Sequence, residues 1–183
     1  MFPKTAAGRQ VILFNCSFDH NYNSFVSTEP QAVVYLTLAH TSKLEGCHFT
    51  SFAPDSFAVR SDDGVVVVVG CTFDGPGFFG ESASISNSTF LVNLAPQSTK
   101  SASLMVIGAL NVSSSSFSDS ASGAIVLQPR SSFSNFQAVV SKCVFKNNSA
   151  PLGGAILLTV CPLVLSCFRE LRTKRDLLLL SQV

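Results

Sequence analysis

The chain has 183 residues, a net charge of +1, 46% hydrophobic residues and only 13% charged ones. That length makes it one domain or a piece of one. The low charge argues against disorder driven by self-repulsion, and it removes the electrostatic reason to expect nucleic acid as a partner.

Residues 1–10 read as an irregular lead. Met1-Phe2-Pro3-Lys4 carries no apolar h-region, so no secretory signal peptide is expected here. From Val11 one short pattern recurs six times. A strand of the form apolar-x-apolar is followed by a bend and then by Cys/Ser-x-Phe. The Phe column is Phe18, Phe49, Phe73, Phe90, Phe117 and Phe145. Two residues earlier stand Cys16, Cys47, Cys71, Ser88, Ser115 and Cys143. Five earlier stand Leu13, Leu44, Val68, Ile85, Val112 and Val140, and seven earlier Val11, Ser42, Val66, Ala83, Leu110 and Ala138. Ser42 is the polar exception in that last column. Alternation at period two is a strand signal. The step from five before to two before breaks the alternation, so the chain must turn there. The residue preceding the Cys/Ser column is Asn15, Gly46, Gly70, Asn87, Ser114 or Lys142, mostly types that tolerate a left-handed backbone.

Four columns in register over steps of 31, 24, 17, 27 and 28 residues suit fixed strands joined by variable loops. A repeating unit of this size cannot bury its apolar face alone, so it stacks on the next. The expected fold is therefore all-β, a right-handed single-stranded parallel β-helix (solenoid) of about six coils over residues 11–157. Its core is a continuous stack of the six Phe. A third strand per coil is expected at Gly123-Ala124-Ile125-Val126-Leu127 and Gly153-Gly154-Ala155-Ile156-Leu157. Weaker versions lie at Ala32-Val33-Val34-Tyr35-Leu36 and Phe57-Ala58-Val59. The long variable loop is placed before the apolar-x-apolar strand.

Of the six Cys, four occupy the repeat column and Cys161 and Cys167 lie in the tail. An even number would allow disulfides. The column also accepts Ser88 and Ser115, so stacked free thiols at Cys16, Cys47 and Cys71 fit better, the site needing a small buried side chain. No Cys-x-x-Cys occurs, and His20, His40 and His48 share no ligand spacing, so neither a metal site nor a cofactor is expected. His48, between Cys47 and Phe49, faces outward by alternation. Arg60-Ser61-Asp62-Asp63-Gly64 is the densest charged cluster before the tail. It reads as a turn entering the Val65–Val69 strand. Sequons occur at Asn15, Asn87, Asn111 and Asn147, two of which, Asn15 and Asn87, fall in the bend column.

Residues 158–183 depart from the pattern. They are expected to form a degenerate last coil and a capping helix from about Phe168 to Leu180. The alternatives are a membrane anchor, because residues 150–168 carry no charge and are followed by a basic flank, or the end of a truncated or misread gene. The first unit has little before it, so the chain is expected to belong to a longer solenoid.

Cys143-Val144-Phe145-Lys146-Asn147-Asn148 followed by Gly153-Gly154-Ala155-Ile156 resembles the Phe-x-x-Asn and Gly-Gly-Ala-Ile repeats of chlamydial polymorphic membrane proteins. It is also similar to protist β-helix repeat proteins of the pectate-lyase-like superfold. Phe-x-x-Asn recurs at Phe18/Asn21 and Phe90/Asn93, and Asn148 completes it after Phe145. The resemblance implies a non-catalytic adhesin or passenger module at a cell surface or outside the cell. Loops such as 19–31 and 94–103 and a flat sheet face would be presented to a glycan or protein, with a membrane involved only through the tail or a parent protein. The alternative is a polysaccharide lyase or hydrolase. Asp62-Asp63 resembles one polygalacturonase motif, but the preceding Asn-x-Asp and the Gly-His-Gly are missing. An enzyme is expected to lose turnover on Asp62→Ala or Asp63→Ala, and an adhesive module to be indifferent to both. A fragment without independent function is the third reading.

Overall fold

The structure, a computed structural model, describes residues 10–19, 31–37, 41–50, 56–91, 102–121, 123–128, 138–149, 154–160 and 178–182. Alternating apolar stretches become strands throughout, and among the described residues there is no helix. In chain order the strands begin with β1 (Gln10–Phe14), β2 (Ser17–Asp19), β3 (Gln31–Leu36), β4 (Thr41–Glu45), β5 (His48–Thr50) and β6 (Ser56–Val69). Next come β7 (Thr72–Asp74), β8 (Phe78–Ser86), β9 (Thr89–Leu91), β10 (Leu104–Val106), β11 (Leu110–Ser113) and β12 (Ser116–Ser118). The last are β13 (Ile125–Leu127), β14 (Ala138–Ser141), β15 (Val144–Lys146), β16 (Ile156–Val160) and β17 (Leu178–Gln182).

Two parallel sheets result. The Cys/Ser-x-Phe strands make one of six strands, in the order β15-β12-β9-β7-β5-β2. The apolar-x-apolar strands and the third strands share an 11-stranded sheet. The register is that of the sequence columns: Phe18 pairs Phe49, Phe49 pairs Phe73, Phe73 pairs Phe90, Phe90 pairs Phe117 and Phe117 pairs Phe145. The rings stack nearly parallel, tilted 3–9° with centroids 4.7–5.1 Å apart. That separation is close to the strand spacing itself. Phe49, Phe73, Phe90 and Phe117 are fully buried, whereas Phe18 and Phe145, at the two ends of the column, are half-buried.

All six bend residues adopt the left-handed conformation, from φ 48° at Ser114 to φ 62° at Gly46 and Gly70. The N–H of each bend residue from Asn15 to Ser114 donates to a carbonyl of the next unit; Asn15 to Glu45 O at 2.8 Å and Gly70 to Ser86 O at 3.0 Å are examples. A second left-handed column, not foreseen from the sequence, stands two residues after the Phe: Gly75, Asp119 and Asn147. Here the chain leaves the six-stranded sheet for the third strand. One residue further on, the Phe-x-x-Asn asparagine works as a clamp. Asn148 donates through Nδ2 to Phe117 O at 3.0 Å, and its Oδ1 accepts the Ser120 N–H at 3.1 Å. Where Asn is lost after Phe117, the buried Ser120 hydroxyl donates instead to Gly123 O at 2.7 Å. Asn21 and Asn93 lie outside the described residues.

The Cys/Ser column is more than a row of small side chains. Each member from Cys16 to Cys143 donates to the carbonyl two residues before it, with Ser88 Oγ reaching Ser86 O at 2.9 Å. Each of three also accepts a backbone N–H from the preceding unit: Cys47 N–H to Cys71 Sγ at 3.3 Å, Cys71 N–H to Ser88 Oγ at 3.2 Å, and Ser88 N–H to Ser115 Oγ at 3.2 Å. The column therefore requires a small side chain that can accept a hydrogen bond. Ser88→Ala should leave the buried Cys71 N–H unpaired and cost about 1–3 kcal/mol in a denaturant titration, while Ser88→Cys should cost much less. Cys16, Cys47, Cys71 and Cys143 are free thiols; Cys161 and Cys167 lie outside the described residues.

Three expectations need correction. The capping helix does not reach Leu180, because Leu178–Gln182 is a strand, β17, paired in parallel with β16. Pairing Leu178–Leu180 with Ile156–Leu158 satisfies backbone groups that a helix would leave open on the β16 edge. Residues 161–177 lie outside the described residues. The supposed turn at Asp62-Asp63-Gly64 is a bulge inside the continuous strand β6, where the pairing with β8 shifts register between Ser61 and Val65. Gly64, at φ 76°, turns the corner there, and the buried Ser61 hydroxyl donates to Asp63 O at 2.9 Å. Finally, the long segment precedes the apolar-x-apolar strand between β13 and β14, but no loop separates the third strand from that strand in β6 or β8, and residues 20–30 and 92–103 instead follow a Phe strand.

Candidate binding face

The third strands build the face. Their inward column, Val34, Val59, Phe78, Leu104, Ile125 and Ile156, enters the main core. One residue on, the outward column runs Tyr35, Arg60, Phe79, Met105, Val126 and Leu157. Met105, Val126 and Leu157 point outward and are nevertheless buried, in a second apolar cluster with Phe57 and Ala102. The sheet is thus covered on both faces toward β16, as parallel sheets usually are. Toward β3 it opens, and Tyr35 is 53% exposed.

At this open end four side chains converge. Arg60 Nε donates to Asp62 Oδ1 at 2.8 Å, and Nη2 lies 3.5 Å from Oδ2. The Tyr35 hydroxyl donates to Asp62 Oδ2. The Arg60 guanidinium lies 5.0 Å from the Tyr35 ring centroid and 5.6 Å from that of Phe79, within cation–π range of both. Phe79 leans on Phe57 at 5.5 Å, which ties the cluster to the second core. The register explains the assembly: Tyr35, Arg60 and Phe79 sit on adjacent strands, and the bulge after Ser61 turns Asp62 back onto Arg60. The result is a planar cation between two aromatic rings, held by a carboxylate. Sequence reasoning found the Arg60–Gly64 segment but not Tyr35 or Phe79. The signal it lacked was the exact register of the third strands.

No family model matches the chain, and no curated protein or solved structure matches it either. The motif residues quoted above therefore stand alone as the ground for a family resemblance.

The other candidate residues are dispersed. His48 is exposed on β5, pairing with Ser17 and Thr72; His20 and His40 lie outside the described residues. Among the described residues no group of three His, Cys, Asp or Glu side chains could hold a metal ion. Asn15, Asn87 and Asn147 are exposed in left-handed bends, and Asn111 is exposed on β11. The Asn147 side chain donates to Asp119 Oδ1 at 3.0 Å. Of the loops expected to meet a partner, residues 20–30 and 94–101 lie outside the described residues, and Ala102 and Ser103 are buried. Among the described residues no helix is long and apolar enough to cross a membrane.

Burial pushes the Cys71 thiol up to about 11, and the Cys143 thiol is raised by burial too. A raised thiol pKa favours the folded state below the ordinary thiol range. That contribution is lost as the pH climbs from the ordinary value of 9.0 through about 11, because the unfolded thiol ionises first. Stability should therefore fall over that window. At neutral pH Cys71 should react with a thiol-directed probe only as fast as the protein opens, which timed labelling with mass spectrometry would show.

Proposed function

We propose that the chain is a right-handed parallel β-helix, a non-catalytic structural or adhesive module of a longer repeat protein displayed at a cell surface. It would bind a glycan or a protein through the face around Tyr35. The fold reading is supported by two parallel sheets whose strands follow one another in sequence order, each unit adding one strand to the Phe sheet. Parallel crossovers are right-handed in about 98% of cases, which sets the expected hand. The observation that carries the binding reading is the Arg60 guanidinium held between Tyr35 and Phe79 by Asp62. An exposed Tyr35 braced by a largely buried Arg60 on a rigid sheet loses little entropy on binding, and Tyr and Arg are the residue types that dominate recognition surfaces.

The same geometry speaks against acid chemistry at Asp62. Both of its oxygens are engaged, by Arg60 and by the Tyr35 hydroxyl, so it serves as a brace. This changes the expectation for substitutions. Asp62→Ala should weaken binding by releasing Arg60, and Asp63→Ala should leave it unchanged. A panel of immobilised polysaccharides and surface proteins, probed with the wild-type chain, tests the reading. Tyr35→Ala and Arg60→Ala should each lower affinity at least roughly fivefold, corresponding to about 1 kcal/mol or more. Affinity unchanged by both would refute this face as the site.

A polysaccharide-cleaving activity is the second reading. The bulge that carries Asp62 and Asp63 favours it, since bulges re-aim side chains beside active sites. It requires turnover that falls on Asp63→Ala.

A further inference from the structure

Three of the four sequons fall at left-handed bends and the fourth, Asn111, on strand β11. Each offers an Asn Nδ2 to carry a sugar and a Ser or Thr hydroxyl two residues on. All four Asn are exposed, so exposure alone does not separate them. Their amides and their neighbours do.

Asn147 donates through Nδ2 to Asp119 Oδ1 at 3.0 Å, and the next residue, Asn148, is the clamp between Phe117 O and the Ser120 N–H. A sugar on Asn147 would have to share that amide with the Asp119 carboxylate. Asn15 lays its amide over the next unit, where a Cβ on Gly46 would collide with Asn15 Oδ1. Asn87 differs. It occupies the same bend column, at φ 51°, yet a Cβ on its column neighbour Gly70 would meet nothing within 4 Å. The Asn87 side chain therefore stands clear of the corner, with open space on the Gly70 side. Asn111 lies between the buried Leu110 and Val112, so alternation sends its side chain to the outer face, as it does Ser113. Its column neighbours are the small Ser84 and the exposed Val139. Both β8 and β11 are paired on either side by described strands, so the stack itself sets the surroundings of these two Asn.

We propose that Asn87 and Asn111 are N-glycosylated and that Asn15 and Asn147 are left bare. The inference rests on the cell-surface reading, because export is what brings the chain to the donor, an oligosaccharide on a lipid diphosphate. Asn Nδ2 bonds to the anomeric carbon, the C–O bond to the diphosphate breaks, and the amide gives up one proton as the lipid diphosphate leaves. One sugar then stands at the first bend and the other on the outer face of the apolar-x-apolar strands, beside Val139. The Tyr35 face, on the third strands, stays uncovered.

The test follows the full chain, exported from eukaryotic cells behind a cleavable leader. An amidase removes the sugars and turns each sugar-bearing Asn into Asp, which peptide mass spectrometry reads. In the exported, folded chain most molecules should show Asp at positions 87 and 111 and few at 15 or 147. Asn87→Gln and Asn111→Gln should each remove one mobility step on a gel, and the double variant both. Bare Asn87 and Asn111, or equal occupancy of all four, would overturn the proposal and leave the cell-surface reading standing. The chain taken from the cells that make it should lose mass under the same treatment. A native chain without sugar, beside an exported one modified at Asn87 and Asn111, would overturn the proposal by sinking the cell-surface reading on which it rests.

Discussion

Replacing Phe73 with alanine should cost about 3–5 kcal/mol, the usual range for removing a fully buried ring. Phe73 has no exposed surface and sits between Phe49 at 5.0 Å and Phe90 at 4.7 Å. Both neighbours are fixed by backbone pairing, so neither can move in to fill the gap without breaking the register of β5, β7 and β9. The stabilisation comes mainly from burial. Near-parallel rings at this separation follow from the strand spacing, and offset stacking adds only about 0.5–1.5 kcal/mol per pair. Phe145→Ala, at a half-buried position with one ring neighbour among the described residues, should cost clearly less. Chemical denaturation of the two variants side by side checks the ranking. Equal losses would mean that the column does not act as a stack.

Gly77→Ala should destabilise by about 2–3 kcal/mol, although it adds one methyl group. A Cβ at this position would stand 2.6 Å from Phe90 Cε1, 2.7 Å from Cδ1 and 2.9 Å from the Ser103 carbonyl oxygen. The Phe90 ring cannot swing away, since it is clamped between Phe73 and Phe117. The backbone cannot retreat either. Gly77 N–H donates to Ser103 O at 2.8 Å, and its carbonyl accepts the Val59 N–H at 2.9 Å. The damage should therefore spread along the Phe column. Amide exchange in β9 and β12 should rise in this variant, and unchanged protection there would contradict the coupling.

The inward columns were legible because burial repeats: a position that must be apolar in one unit must be apolar in the next. The first bend was legible through Asn15, Gly46, Gly70 and Asn87, yet Ser114 and Lys142 adopt the same left-handed backbone without a residue type that announces it. There the paired neighbours impose the conformation, on both sides at Ser114 and, among the described residues, on one side at Lys142. The second bend hid behind mixed residue types. The Cys/Ser column was legible as small, but its hydrogen bonds were not, since a thiol and a hydroxyl look alike to a volume argument. The outward burial of Met105, Val126 and Leu157 could not be read at all, because outward strand positions are normally solvated. The Tyr35–Arg60–Asp62–Phe79 cluster depends on the register of three strands drawn from separate units, the least regular part of the repeat. Ser42 was visible as an oddity and remains one: its buried hydroxyl has no hydrogen-bond partner among the described residues.

Successive units stack in parallel register around one Phe column. Ring-to-ring NMR contacts in a Phe-labelled sample test it most directly. Contacts are expected for Phe18–Phe49, Phe49–Phe73, Phe73–Phe90, Phe90–Phe117 and Phe117–Phe145, and none between rings two units apart. Direct contact between Phe49 and Phe90, or the absence of the Phe73–Phe90 contact, would contradict it.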